Sequence, residues 1–147
     1  MGYQPLADVQ LATTPESIAR CFEVMRELRP KLTSAEEFVA RVKQQREEGF
    51  ELAFLEREGE VVTVAGFRVR HMLATGLTMY VDDLVTGDAY RSQGNGKTML
   101  DWLIARAQEN GCQTFSLDSG THRHAAHAFY FRERMHVSSF HFALSLT

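Results

Sequence analysis

The sequence predicts a single mixed α/β domain in the order β-α-α-β-β-β-α-β-α-β over its 147 residues. The first observation is that the period of the apolar residues changes along the chain, between the two-residue repeat of strands and the 3.6-residue repeat of helices. The second is a pair of β-rich runs separated by a short turn signal, which predicts an antiparallel hairpin. The third is a strand–helix–strand segment, which requires a parallel pair with a right-handed crossover. The predicted sheet is therefore mixed.

The first quarter of the chain predicts a short strand over residues 7–12 and then a helix. Thr14 is a suitable N-cap and Pro15 suits the first helical turn. Pro30 ends the run. The apolar residues at helical spacing are Ile18, Cys21, Phe22, Met25 and Leu28.

A second helix and the hairpin follow. Ser34 and Glu37 form a capping-box pattern, and Gly49 suits the helix end. The two β-rich runs cover residues 50–56 and 60–72, and a turn signal lies between them. These strands are expected to pair with each other.

The second half alternates between strands and helices. The predicted elements are a strand over 77–86, a helix from about Gly94 to Asn110, a strand over 114–117, a helix over 123–133 and a final strand region over 137–146. Gly111 is a suitable stop for the long helix. The buried stripe of that helix is expected to contain Met99, Leu100, Leu103, Ile104 and Ala107.

Composition indicates an ordinary soluble protein with reduced thiols. Hydrophobic residues make up 44% of the chain and charged residues 24%, and the net charge is −3. This charge argues weakly against nucleic-acid binding and permits a cationic amine substrate. No apolar run reaches membrane-span length and no signal-peptide pattern is present, so we expect no membrane partner and a cytoplasmic location. Cys21 and Cys112 are far apart in apolar patterns, which predicts core thiols rather than a disulfide.

The most informative stretch is the turn between the strand at 77–86 and the long helix. Its pattern is Arg-x-x-Gly-x-Gly, from Arg91 through Gly94 to Gly96. Glycines at a helix start let backbone N–H groups approach an anion closely, and the helix dipole adds positive potential. The spacing excludes a Walker loop, because its first glycine would fall at Arg91, and a dinucleotide fingerprint, because its third would fall at Met99.

This loop, in its strand-to-helix context, resembles the coenzyme A signature of the GNAT superfamily of N-acetyltransferases, and the element order resembles that fold over the whole chain. The resemblance implies acetyl-CoA as co-substrate, with its pantetheine arm between splayed strands at 77–86 and 113–118. The residues that it assigns to the cofactor site are Leu84, Val85, Arg91, Gln93, Gly94, Asn95, Gly96, Lys97 and Thr98. Backbone N–H groups near Leu84 and Val85 are the expected oxyanion and pantetheine partners.

Acetyl transfer to an amine requires removal of an ammonium proton. An alkylammonium with a pKa of about 10.4 is only about one part in two thousand neutral at pH 7. Asp82 and Asp83 precede the cofactor loop, and either carboxylate, directly or through water, is a candidate general base. Adjacent strand residues point to opposite faces, so both can face one cleft only if a bulge intervenes. The family resemblance favours Asp83.

The leaving thiolate gains from protonation, and Tyr130 is the candidate acid. Ala126-His127-Ala128-Phe129-Tyr130 resembles the Ala-x-x-Phe-Tyr pattern of many GNAT enzymes, in which the tyrosine protonates the sulfur. A phenol with a pKa near 10 can donate to a thiolate at neutral pH. The alternative is an aromatic residue that only packs on the helix.

The C-terminal region resembles the aminoalkylphosphonate and small-amine branch, with departures. Arg134-Met135 replaces the Gly-Phe found there in the branch, which predicts a different turn. The histidine-rich pattern does not match a recognised zinc spacing, so no metal is expected. Its histidines are His122, His124, His127, His136 and His141.

The predicted function is acetyl transfer from acetyl-CoA to a primary amine of a small molecule, directly within a ternary complex. A protein or peptide N-acetyltransferase and a non-catalytic acyl-CoA sensor are the alternatives, and the resemblance suggests a homodimer. Candidate acceptor contacts are Phe22, Arg26, Arg29, Lys31, Arg68, His71 and Tyr80. Arg26 and Arg29 could pair with a carboxylate or phosphonate on the acceptor, although exposed helix charges are more often simply solvated.

Overall fold

The computed structural model describes residues 8–147. The chain divides into two compact units, and the boundary between them in the sequence follows Ser116. Its elements are β1 (Val9–Leu11), α1 (Pro15–Arg20), α2 (Phe22–Leu28), α3 (Ala35–Arg46), β2 (Phe50–Arg57), β3 (Glu60–Met72), β4 (Gly76–Thr86), α4 (Asn95–Glu109), β5 (Thr114–Leu117) and α5 (His124–Arg132). A single 3₁₀ turn, Asp88–Tyr90, lies between β4 and α4. None of the helices within residues 8–147 has the length and apolar character that a membrane span requires.

The five strands form one mixed sheet in chain order, β1-β2-β3-β4-β5. The first four strands pair antiparallel with their neighbours, and β5 lies parallel to β4 after the α4 crossover. A backbone hydrogen bond of 2.8 Å from Gln113 N–H to the Leu77 carbonyl connects the starts of these two strands. The predicted mixed sheet is therefore confirmed.

The β2–β3 hairpin closes through two residues in the left-handed region. Glu58 has φ 53° and Gly59 has φ 79°, and Arg57 pairs with Glu60 across the turn. Two positive φ values are the mark of the type I′ turn, whose twist matches that of the paired strands. The predicted turn is thus confirmed.

Helices cover both faces of the sheet. Helices α1, α2 and α3 pack against alternate residues of β2, including Phe50, Leu52 and Phe54. The intervening Ala53 and Leu55 are buried on the other face, as the two-residue repeat of a strand requires. Helix α4 contributes Met99, Leu100 and Leu103, all fully buried, and its Trp102 ring lies edge-on to Phe67 at 6.0 Å.

The first helical run differs from the prediction, because it forms two short helices that meet at Cys21. The Cys21 N–H bonds to the Ile18 carbonyl, three residues back, and this tighter bond turns the chain there. The Ser34 cap is confirmed, since its hydroxyl accepts the Glu37 N–H. The Glu37 carboxylate instead accepts from Thr33 N–H, so the box is displaced by one residue.

The predicted final strand over 137–146 is wrong. Residues 136–147 have no regular secondary structure, and no backbone hydrogen bond joins them to a neighbouring strand. An alternating apolar pattern suits a strand, but a strand forms only where its backbone pairs with that of a neighbouring strand. The large apolar side chains of this segment are exposed: Val137, Phe140, Phe142, Leu144 and Leu146. Residue 7 of the predicted first strand lies outside the described residues.

Candidate active site

The loop after β4 is held in a strained shape by its own hydrogen bonds. Ser92 has φ 61° and Gly94 has φ 83°, and Gly94 is the N-cap of α4. The side-chain amide of Asn95 donates to the Tyr90 carbonyl at 3.1 Å, and the Thr98 hydroxyl donates to the Gly94 carbonyl at 3.0 Å. These bonds fix the loop against the first turn of the helix.

The backbone N–H groups of this loop are available to a ligand. Those of Gln93, Gly94, Asn95 and Gly96 donate to no group among residues 8–147. A methyl group at Gly94 would meet no heavy atom within 4 Å, so the space beside it is open. Free N–H groups at the start of a fifteen-residue helix form an anion site, to which the helix dipole contributes.

The loop cations lie at the surface. Arg91 is 3.4 Å from Asp88 and Lys97 is 3.3 Å from Asp101, and all four side chains are exposed. Such pairs are weak in water, so either cation can exchange its partner for a ligand anion at little cost. Arg91 and Lys97 therefore lie at the surface on either side of the free N–H groups in the sequence.

The acidic pair before the loop sits on a β-bulge. Gly66 of β3 pairs with Asp83, and the next residue, Phe67, pairs with Val81, so Asp82 is the extra residue in β4. A bulge changes the direction of the side chains that follow it. Asp82 and Asp83 consequently line the same pocket, which the simple alternation of a strand would forbid. Beyond the bulge, Leu84 and Val85 pair with Ala65 and Val64 of β3.

Asp83 is the more deeply buried carboxylate. Its side chain is 16% exposed and accepts a hydrogen bond of 2.7 Å from Arg29 Nε. Burial raises the pKa of Asp83, and the hydrogen bond and charge of Arg29 oppose that rise. Arg29 Nη2 also donates to the Asp82 carbonyl at 2.9 Å, so a single guanidinium braces both residues of the bulge.

Asp82 is held by Arg68 in a two-point pair. Arg68 Nε donates to Oδ1 at 3.0 Å and Nη2 donates to Oδ2 at 2.8 Å. This bonding raises the pKa of the Arg68 guanidinium further. Both Asp82 oxygens are engaged, whereas only Oδ1 of Asp83 is bonded by Arg29, so Asp83 has the better geometry for accepting a proton.

Gly66 makes room for this arrangement, and the sequence prediction missed it. A methyl group there would lie 2.4 Å from the Phe50 ring and 2.8 Å from Asp83 Oδ2. Only a residue without a Cβ lets the carboxylate and the ring meet over β3. The available signal was an isolated glycine within a strand pattern, which indicates a bulge or a close approach.

A pocket of about 660 Å³ opens beside the acidic bulge. The residues that surround it are Met25, Leu28, Arg29, Pro30, Lys31, Leu32, Phe38, Arg41, Val42, Gln45, Phe50, Tyr80, Asp82 and Asp83. Of the predicted acceptor contacts, Arg29, Lys31 and Tyr80 line it, and Arg68 reaches it through Asp82. The pocket walls do not include Phe22, Arg26 or His71. Arg41 was missed, because nothing in a helical charge pattern identifies one exposed arginine as facing a pocket.

Tyr130 belongs to the second unit, where it lies on α5 beside Phe129. Its hydroxyl has no hydrogen-bond partner within residues 8–147. Burial raises the pKa of Tyr130, and the positive charge of Arg123 partly opposes this. The phenol is therefore protonated at neutral pH, as a proton donor must be.

The turn after α5 corrects one prediction. Arg134 has φ 68°, its N–H bonds to the Phe131 carbonyl, and Met135 N–H bonds to the Tyr130 carbonyl. These are the two bonds of a Schellman motif. Because glycine is absent, this turn was predicted to differ from the usual helix end. It nevertheless forms the usual Schellman turn, with Arg134 in the left-handed region.

The histidines of the second unit make separate local contacts. His127 Nε2 is 2.8 Å from the Gly120 carbonyl, and His141 Nδ1 is 3.7 Å from an Asp118 oxygen. Across residues 8–147, no three histidine, cysteine or acidic side chains come together in a way that could hold a metal ion.

Comparison with known proteins relates both the sequence and the fold to acetyltransferases. The profile of the acetyltransferase (GNAT) family matches residues 16–136. The chain is 32% identical over 119 residues to an uncharacterized N-acetyltransferase, YhdJ, of Bacillus subtilis, covering 80% of this chain and 83% of that one.

Solved structures share the fold at low sequence identity. A transcriptional regulator from Bacillus halodurans superimposes with a TM-score of 0.83 at 20% identity, covering 94% of this chain and 98% of that one. The aminoglycoside N-acetyltransferase AAC(6')-Iy, solved in complex with CoA, superimposes with a TM-score of 0.81 at 10% identity, covering 95% of each chain. At such identities the likeness establishes the fold alone.

Proposed function

The chain belongs to the acetyltransferase (GNAT) family of acyltransferases, and we propose that it transfers acetyl from acetyl-CoA to a primary amine of a small molecule. The observation that carries the proposal is one continuous segment of chain. It runs from a bulged acidic pair at Asp82 and Asp83, through the end of β4, into a loop with free N–H groups at Gln93–Gly96. An acceptor pocket and an anion site therefore lie along the same strand and loop.

The anion site fits the diphosphate of coenzyme A. The backbone N–H groups of residues 93–96 are free of partners within residues 8–147, and open space lies beside Gly94. The exposed cations Arg91 and Lys97 lie in the same loop and in the first turn of α4. Backbone donors and a helix N-terminus together bind phosphate oxygens without a specific side chain. We assign Gln93, Thr98 and the backbone at Leu84 and Val85 to the same cofactor, as the family pattern implies.

The proposed reaction is a direct transfer. The amine nitrogen loses its proton to the Asp83 carboxylate and attacks the thioester carbonyl carbon, and the carbon–sulfur bond then breaks. The thiolate takes the phenolic proton of Tyr130, and the resulting phenolate takes the second proton from the nitrogen of the new amide, so the products are a neutral amide and a free thiol. Asp83 then releases its proton to water. Burial of Asp83 raises its pKa, which makes it a stronger base than a solvated aspartate. The hydrogen bond and the positive charge of Arg29 oppose that rise.

The pocket supports a small molecule over a peptide. Its volume of about 660 Å³ lies within the range of small-ligand sites, and residues of α2, the α2–α3 connection, α3, β2 and β4 line it. Cytoplasmic location and a homodimer stay predictions from the sequence.

The cofactor assignment is tested by calorimetry with two matched variants. Gly94 and Gly111 stand at the two ends of α4, both have positive φ, and a side chain at either would meet open space. Gly94→Asp and Gly111→Asp therefore impose the same backbone strain and add the same charge. We expect coenzyme A affinity to fall at least tenfold in Gly94→Asp and to stay near the wild-type value in Gly111→Asp, because only the first carboxylate faces the diphosphate.

Equal coenzyme A affinity in the two variants would refute the assignment of the diphosphate to the anion site at Gly94. Release of free thiol from acetyl-CoA with a panel of amines then tests the reaction itself. Tight coenzyme A binding without transfer to any amine would favour a non-catalytic sensor.

A further inference from the structure

We propose that the acceptor carries an anionic group in addition to its amine, and that Lys31 and Arg41 bind this group. The inference rests on the proposed function and names its substrate class. Lys31 follows α2 and Arg41 lies on α3, and both line the pocket. Neither forms an ion pair with any residue from 8 to 147.

The other charges of the pocket cancel one another. Asp83 is paired with Arg29, and Asp82 is paired with Arg68 at two points. The positive charges of Lys31 and Arg41 are left unbalanced, although the chain as a whole has a net charge of −3. A pocket of this sign attracts anions although the overall charge of the protein is negative.

The positions of the charges suit a particular shape of acceptor. The carboxylates come from β4, the unbalanced cations come from the α2–α3 side, and apolar side chains share the lining between them. These apolar residues include Leu32, Phe38, Val42 and Phe50. An amine at one end of an apolar spacer and a carboxylate, phosphate or phosphonate at the other would satisfy each part of the lining.

The same charges disfavour polycations. A second ammonium would lie near Lys31 and Arg41 with no free carboxylate to receive it, since Asp82 and Asp83 already have partners. Selection of this kind works as much by rejecting the wrong ligand as by attracting the right one. The net charge of the chain permits any cationic amine as acceptor, whereas the charges of the pocket favour amines that also carry an anionic group.

The test uses four amines that differ only at one end of a benzene ring. They are benzylamine, 4-(aminomethyl)benzoate, 4-(aminomethyl)phenylphosphonate and 1,4-bis(aminomethyl)benzene. With the full chain and saturating acetyl-CoA, we expect kcat/KM for the two anionic amines to exceed that for benzylamine by about tenfold, as two exposed cations allow. The diamine should be the poorest acceptor. The two anionic arms distinguish a carboxylate from a phosphonate preference.

Two substitutions assign the effect to its residues. The double variant Lys31→Met, Arg41→Met removes both charges and keeps long side chains, and it should lose the preference for anionic amines, mainly through KM. The readout is the ratio of kcat/KM for each anionic amine to kcat/KM for benzylamine, and this ratio should fall towards one in the double variant. Lys43→Met is the matched control, because Lys43 is exposed on α3 and does not line the pocket. It should retain the preference.

Calorimetry of the coenzyme A complex with the same four amines provides a second measurement that needs no turnover. Benzylamine acetylated as well as the anionic amines would overturn the inference and leave the proposed function intact, as would a preference retained by the double variant. If no amine is acetylated, the proposed function fails, and the anion preference is decided by the binding series alone.

Discussion

Arg29 determines the electrostatic state of the candidate base. Its guanidinium bonds both the Asp83 carboxylate and the Asp82 carbonyl while half of its side chain remains exposed. Burial alone would push Asp83 towards its neutral form, and Arg29 restrains that shift. A base in this setting gains a proton more readily than one in water.

We predict that Arg29→Met moves the acidic limb of the kcat/KM profile to higher pH. Loss of the cation removes an effect that lowers the Asp83 pKa, so a higher pH is needed to keep the base unprotonated. The profile is measured by thiol release over a pH series. Arg26→Met is the control, because Arg26 lies three residues before Arg29, pairs with exposed Glu23 and does not line the pocket. An unmoved limb in Arg29→Met would exclude Asp83 as the titrating base.

Linkage gives the sign of the accompanying stability change. The pKa of Asp83 is raised on folding, so the folded state binds its proton more tightly than the unfolded state, and stability falls as pH rises from about 3.8 through the folded pKa. Asp83→Asn should therefore unfold at higher urea concentration than the wild type at pH 7, while losing turnover. Substitution of a residue that serves packing alone would not raise stability while abolishing turnover.

We predict that Tyr130→Phe lowers kcat by about a hundredfold with acetyl-CoA saturating, as the loss of a general acid does. The phenol is protonated up to high pH because burial raises its pKa. An alkaline limb due to its ionisation should therefore be present in the wild type and absent from the variant. A variant with full turnover and an unchanged alkaline limb would show that Tyr130 only packs on α5 beside Phe129.

At the scale of the element, the β4 bulge depends on glycine in the neighbouring strand. Gly66 pairs with Asp83, and the Phe50 ring and the Asp83 carboxylate both occupy the space that a Cβ would fill. The bulge aims two adjacent carboxylates into one pocket, and Gly66 permits that aim. A strand without either feature would present one carboxylate to the pocket and one to the opposite face.

We predict that Gly66→Ala destabilises the protein by about 1–3 kcal/mol, as overpacking does, and reduces kcat. The added methyl would collide with the Phe50 ring and with Asp83 Oδ2. Urea unfolding and thiol release measure the two effects.

The double variant Gly66→Ala, Phe50→Leu separates these effects. Adding Gly66→Ala to Phe50→Leu should lower the free energy of unfolding by less than adding it to the wild type, because the ring that the methyl would meet is gone. Activity should stay low, because the methyl still crowds the carboxylate. Recovery of both would show that Gly66 serves packing only.

At the scale of the whole molecule, the two cysteines sample different environments. Cys21 is fully buried where α1 meets α2, and Cys112 is half-buried after α4. Burial raises the pKa of Cys21 to about 12, so its thiol is unreactive in the folded state. A thiol of this kind reports global unfolding.

We predict that a thiol reagent at pH 8 labels Cys112 in the native protein and labels Cys21 only as the protein unfolds. Mass spectrometry after labelling across a urea series locates the two events, and Cys112→Ala isolates the second. The raised pKa also implies that stability is lost as pH rises above about 9, because the unfolded thiol ionises first. Rapid labelling of Cys21 in the absence of urea would contradict the close packing of α1 and α2.

Local chemistry in the sequence was enough for the mixed sheet, the hairpin and the glycine-containing loop that begins α4. The Glu58-Gly59 turn, the Thr14 and Ser34 caps, and Gly94 before α4 each act through neighbouring residues, so their signals are readable without the fold. The strand at 137–146 was not predictable in this way, because a strand depends on an edge elsewhere in the molecule.

The sequence by itself determined where this chain turns, which faces it buries and which loop begins its longest helix with a glycine. Only the tertiary structure decided that Asp82 and Asp83 share one pocket, that Arg29 and Arg68 neutralise them, and that Lys31 and Arg41 are left unbalanced. The reason is physical. Hydrogen bonding and steric preference act between near neighbours along the chain, whereas a bulge register and a pocket's charge arise where distant segments meet.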